Sequence, residues 1–168
     1  CGIAMGVVAT FFNQSLMKTM KTFRNWHLAL RLTLAAALTA GIGYLVPQAL
    51  GAETGAIHYA VTVPDELLLL FAIFIAKILL TVAALGLGVP GGIVGPVFGI
   101  GIVMGTLLAF IPSLFLGDAS AAGTYAVLGM AGMMAATLHA PLAALVAVTE
   151  LAANPDLIVP AMLVITVS

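Results

Sequence analysis

The sequence predicts an all-α polytopic membrane protein whose transmembrane helices are broken in places, and three observations predict it. Of 168 residues, 63% are apolar and only 7% charged, against about 25% charged in an ordinary soluble domain. Long stretches carry no charge: 40 residues between Lys77 and Asp118, 31 between Asp118 and Glu150, and 21 between Arg31 and Glu53. One bilayer crossing needs about 20 apolar residues, so each gap holds at least one. No stretch alternates polar and apolar residues as barrel strands do.

The same composition excludes other classes. Disorder needs low hydrophobicity. Five Lys+Arg against six Asp+Glu leave a net charge of −1, so there is no basic face for nucleic acid. A single Cys leaves no disulfide framework and no Cys-based zinc site.

The elements follow in order. A first apolar segment covers roughly 1–17. Asn13 to Arg31 holds four of the five basic residues, Lys18, Lys21, Arg24 and Arg31, and reads as a loop; such loops stay cytoplasmic, so the loop around 14–31 is expected inside. Trp26 and His27 suit the interface beside it. A second segment, about 28–50, runs outward to a loop at 51–66 that carries Glu53, His58, Asp65 and Glu66 and no Lys or Arg. Pro64-Asp65-Glu66 has the form of a helix start, and a third segment, 67–85, heads back in with Lys77 near its middle.

Gly86 to Gly101 (GLGVPGGIVGPVFGIG) follows, with seven of the eighteen glycines in sixteen residues, plus Pro90 and Pro96. Broken backbone at membrane depth survives only where protein or an aqueous cavity satisfies it. Pro96 is placed as a first-turn proline, so a helix starts near Ile93 to Pro96. Its free N–H groups and positive dipole end suit an anion, with the amides of Ile93 and Val94 facing it. Close packing is the alternative use of these glycines, since Gly95 and Gly99, then Gly101 and Gly105, have small-xxx-small spacing. Asp118 to Gly123 reads as an exposed turn. At about 44 Å, a single helix over 124–152 is too long for one simple crossing; Pro141 near its middle predicts two helices, about 124–138 and 141–152. Asn154-Pro155-Asp156 is a break, and a last helix starts near Leu157.

Three side chains stand out. Lys77 is the only charge deep in an apolar segment; intramembrane charge is a functional hypothesis by default, and a lysine that snorkels or bonds nearby carbonyls is the plainer reading. Glu150, at the end of an apolar run, is either a proton relay or a group holding a helix end. His139, before Ala140-Pro141, either titrates or satisfies freed carbonyls or lies at the interface. No second ligand stands at metal spacing, so no metal site is expected. The eight Met and eight Phe read as packing and lipid contact.

PGGIVGP and the Gly-rich helix after it resemble the Gly-x-Phe-x-Pro motif of the CLC family of chloride channels and chloride/proton antiporters. GMAGMMAATLHAPLAALVAVTELAANPDLIVPAM resembles that family's later stretch: a small-residue helix, an Ala-Pro break, a helix ending in Glu, an Asn/Asp turn and a Leu-Ile-x-Pro helix. The order agrees over about 80 residues; the upstream part fits more loosely. The resemblance implies a fold of tilted and broken transmembrane helices, with this chain as most of the second of two inverted repeats. It implies anion binding by backbone at Gly92, Ile93, Val94, Gly95 and Pro96; Lys77 and Glu150, singled out by their place in apolar segments, are accessory candidates. Val94 stands where the family usually has Phe, which leaves the amide donor intact and alters the pathway wall. The family's gating glutamate, central Ser and pathway Tyr fall outside these residues.

The expected function is therefore chloride transport of the voltage-gated channel or chloride/proton antiporter type, with chloride and protons as partners, no cofactor, and a homodimer formed through about 141–168. A different secondary transporter with a broken-helix site for another substrate, such as a carboxylate, is the alternative. No enzyme is expected, because no Gly-x-Ser-x-Gly or zinc motif is present. A scaffold without transport leaves a costly break unexplained. Cys1 and Ser168 both lie in apolar sequence; the expectation is a transmembrane domain incomplete at both ends that does not transport alone, and a lipid-modified Cys1 is a further option.

Overall fold

The computed structural model describes residues 1–50, 67–116, 122–152 and 157–168. The described elements are all helical: α1 (Gly2–Phe23), α2 (Leu28–Leu45), a short 3-10 turn (Pro47–Leu50), α3 (Leu67–Gly86), α4 (Val94–Leu116), α5 (Ala122–Leu138), α6 (Pro141–Ala152) and α7 (Ile158–Val167). The expected outer loop at 51–66, the turn at 118–121 and the Asn154-Pro155-Asp156 break lie outside the described residues. Ala122 and Gly123, expected in that turn, already belong to α5.

α5 is the hub. It packs most extensively on α4 and also meets α1, α6 and α7. Its small residues explain the close approach. A Cβ on Gly101 of α4 would come within 2.7 Å of the Gly129 carbonyl oxygen and 2.8 Å of the Met130 Cα, and one on Gly105 would collide with the Tyr125 carbonyl. Gly101 and Gly105 thus do the packing that their spacing predicts. The main core gathers Met5 and Phe12 of α1, Ile73 and Phe74 of α3, Val97, Ile100 and Val103 of α4, and Met133 of α5. A helix apolar all round belongs in such an interior.

α2 is built differently. It is apolar along its length, yet only Ala35 and Gly43 are buried. Together with α3 it is long and apolar enough to cross a membrane. An outward face of Leu and Ala in water would cost stability; against lipid it costs nothing.

The basic stretch is not a loop. α1 continues to Phe23 and α2 starts at Leu28, so residues 24–27 alone join them. Lys18 and Lys21 are helical, and Arg31 lies in the first turn of α2. The reason is that nothing between Asn13 and Phe23 breaks a helix. Lys and Met are good helix formers, and the Thr19 and Thr22 hydroxyls donate to the Ser15 and Lys18 carbonyls inside the helix. Charge marked solvent here, not irregular backbone. Trp26 packs edge-on against Phe23, with ring centroids 4.9 Å apart.

Candidate functional site

The break between α3 and α4 begins with a tightly specified stop. The Val89 N–H donates to the Ala84 carbonyl at 3.0 Å and the Gly88 N–H to the Leu85 carbonyl at 3.1 Å. Those two bonds, with Gly88 at φ +83°, form a Schellman cap, which requires a left-handed residue and so favours glycine. The Arg31 guanidinium completes the cap by donating from Nε to the Leu87 carbonyl at 2.8 Å. A cation there also suits the negative end of the α3 dipole.

The chain then leaves helical geometry until Ile93. The Val97 N–H donates to the Ile93 carbonyl at 3.1 Å, which makes Ile93 the N-cap of α4 and Val94, Gly95 and Pro96 its first three positions. Their N–H groups have no partner within the helix, and no described carbonyl accepts from those of Ile93, Val94 or Gly95. Pro96 has no N–H; it fixes the first turn and cannot be a donor. A Cβ on Gly91 or Gly92 would meet nothing within 4 Å, and Val94 is 43% exposed. Ile93, Val94 and Gly95 thus place three helix-start amides beside open space.

Lys77 is brought to this end of α4. It is 8% exposed, and its Nζ lies 3.2 Å from where a Gly99 Cβ would be. A cavity of about 240 Å³ is lined by Lys77, Thr81 and Ala84 of α3, Pro96 of α4, Thr39 of α2, and Ala49 and Leu50 of the 3-10 turn. The cavity thus sets the Lys77 side chain beside the first turn of α4. Thr39 and Thr81 escaped the sequence reading because a threonine inside an apolar helix carries no positional signal.

The other two candidates do not join this group. Glu150 is exposed in the last turn of α6, and His139 is exposed between α5 and α6. His139 adopts φ +53°, the left-handed residue that closes α5 before Pro141 starts α6. Neither lines the Lys77 cavity. Among the described residues no group of His, Cys, Asp and Glu could hold a metal.

A family model described as voltage gated chloride channel matches residues 1–168. The chain belongs to the voltage gated chloride channel (CLC) family. Among curated relatives, the H(+)/Cl(-) exchange transporter ClcA of Salmonella agona is 32% identical over 166 residues, covering 95% of this chain and 35% of its own length. The same transporter of Salmonella paratyphi B has the same identity and coverage. A slow cyanobacterial Cl-/H+ antiporter of known structure superimposes with a TM-score of 0.84 at 27% identity, over 99% of this chain and 40% of its own. This CLC chain thus spans about a third of the curated relatives' length. Its all-helical polytopic fold is that of an integral membrane protein, as its composition predicted.

Proposed function

We propose that this chain supplies one side of a chloride pathway in a chloride/proton exchanger, with the N–H groups of Ile93, Val94 and Gly95 drawing the anion and Lys77 raising the local positive potential. The observation that carries the reading is a helix start with three amides that meet no acceptor among the described residues, open space at Gly91 and Gly92, and a buried lysine sharing a cavity with Pro96. Neutral amide donors suit transport, because an anion must leave as readily as it enters. Val94 in place of the usual Phe alters the wall and keeps the donor. The exchanger form, rather than a channel, follows the named activity of the relatives. The basic end of α1 and the start of α2 face the cytoplasm in this reading. A homodimer forms through the outward faces of α6 and α7, where Leu142, Val146, Val159 and Leu163 are more than half exposed.

The test is flux from liposomes holding the natural gene product, comparing Val94→Pro with Val94→Ala. Proline is tolerated at the first helical position, and an N-cap residue typically takes the extended backbone that a following proline demands. The variant removes one N–H and leaves α4 standing. Chloride release coupled to proton uptake is expected, falling at least tenfold in Val94→Pro and little in Val94→Ala. Full flux in Val94→Pro refutes the amide role. Chloride release without proton movement refutes the exchanger, and carboxylate release in preference to chloride refutes the substrate.

A further inference from the structure

A second electropositive pocket lies apart from the α4 N-terminus. It has a volume of about 270 Å³ and is lined by Lys21 and Arg24 at the end of α1, Arg31 of α2, and Met17, Met20, Leu85 and Gly88. Three of the chain's five basic residues converge here, and no described acidic residue lines the space. Arg31 uses Nε on the Leu87 carbonyl, which fixes the guanidinium in place and leaves its other donors without a described partner. Lys21 and Arg24 are exposed and make no described hydrogen bond.

Three like charges around one small space repel each other, so the pocket gains most from an occupant that carries negative charge on several acceptor oxygens. A phosphate group fits: guanidinium pairs with phosphate oxygens through parallel N–H bonds, and the ammonium of Lys21 adds a point charge. The two methionines and Leu85 form an apolar wall beside the charges. That wall is unfavourable for a fully hydrated ion and favourable for the acyl end of an amphiphile. Trp26, held edge-on by Phe23 two residues past Arg24, belongs at the headgroup level of a bilayer. Anionic lipids concentrate on the cytoplasmic leaflet, where basic pockets between helices take their headgroups.

We propose that the Lys21–Arg24–Arg31 pocket binds a phosphate group, carried by an anionic phospholipid or free in solution. This is a binding site distinct from the anion pathway and does not depend on what that pathway carries. The test is native mass spectrometry of the natural gene product in neutral detergent, offered equal amounts of phosphatidylglycerol and phosphatidylcholine, with inorganic phosphate added in a second arm. The variant is Lys21→Gln with Arg24→Gln, which leaves the Arg31 cap of α3 in place; Lys21→Gln alone is the second variant should the double one fail to fold. Preferential retention of phosphatidylglycerol is expected, reduced about twenty-five-fold by the double variant and about fivefold by Lys21→Gln, since each basic residue near an anionic headgroup contributes about fivefold. Retention unaffected by millimolar inorganic phosphate assigns the site to the lipid headgroup. Displacement of the lipid by phosphate, with phosphate raising the melting temperature of the wild type and not of the variant, assigns it to free phosphate. Equal retention of both lipids with no phosphate effect, or a variant that keeps phosphatidylglycerol as the wild type does, overturns the proposal.

Discussion

Gly88→Ala tests the junction on which the candidate site is built. Two costs add. At φ +83° an L residue with a Cβ is disfavoured by about 1–2 kcal/mol relative to glycine. The new Cβ would also collide with the Arg31 guanidinium, which must swing aside and release the Leu87 carbonyl. A hydrogen bond from a charged donor contributes about 1.5–3 kcal/mol, and the lower figure applies because Arg31 is only partly buried. The sum is about 3 kcal/mol. The assay is denaturant unfolding of the natural gene product in mixed micelles, run as a double-mutant cycle with Arg31→Ala. Gly88→Ala alone is expected to cost about 3 kcal/mol, and about half that once Arg31 is gone, because only the backbone term remains. A cost below about 0.5 kcal/mol, the range of ordinary surface substitutions, refutes the strained-backbone argument. A cost unchanged by Arg31→Ala refutes the collision.

Lys77→Met keeps the length and removes the charge; it is expected to raise the chloride concentration for half-maximal flux about twentyfold, from a unit charge about 8–10 Å from the α4 amides at an effective dielectric near 20, while Lys77→Arg stays near wild type in the same liposome assay. Gly101→Val is expected to lower thermal stability by about 1–3 kcal/mol, because its Cβ meets backbone atoms of α5 that cannot move aside. Gly91→Ala, with open space around its Cβ, is expected to leave the melting temperature unchanged, so any loss of flux in it reports on the pathway. Thr137→Val is expected to be neutral or to stabilise by up to about 1 kcal/mol in denaturant unfolding, because the Thr137 hydroxyl is buried without a hydrogen-bond partner among the described residues and an apolar isostere removes that cost.

Much of the α3–α7 layout was legible because its boundaries are written in residues with strong backbone preferences. Gly88 and the Pro90-Gly91-Gly92 run end one helix, Pro96 starts the next, and Pro141 divides the stretch from Ala122 to Ala152 into α5 and α6. The spacing of Gly101 and Gly105 announced a close neighbour. What failed was the stretch from Asn13 to Arg31, where charge was taken for irregular backbone although lysine and methionine continue a helix readily. The long-range partners were not legible either. Nothing local says that Arg31 reaches the Leu87 carbonyl, fifty-six positions on, or that Thr39 and Lys77 share a cavity with Pro96. Those contacts depend on how α2, α3 and α4 stack, which periodicity does not specify for helices apolar on every face.

The stacking also sets the depth of the candidate site. α3 ends beside Lys21, Arg24 and Arg31, three of the chain's five basic residues. If α4 started at that level, its amides would sit among hydrated charges and their dipole would be largely screened. It does not: Gly99 packs on Lys77 and Pro96 shares a cavity with Lys77, Thr81 and Ala84, so α4 runs back along α3. From Lys77 to the α3 cap at Leu87 the helix rises about 15 Å, and from Gly99 back to Val94 about 7–8 Å, at 1.5 Å per residue. The first amides of α4 therefore lie about 7 Å inward of the α3 end, held there by the Schellman cap and the non-helical residues that follow it. For the proposed anion role, that inward step sets the α4 helix end apart from the hydrated charges at the α3 end, and Gly88 with its Arg31 cap fixes where the step begins.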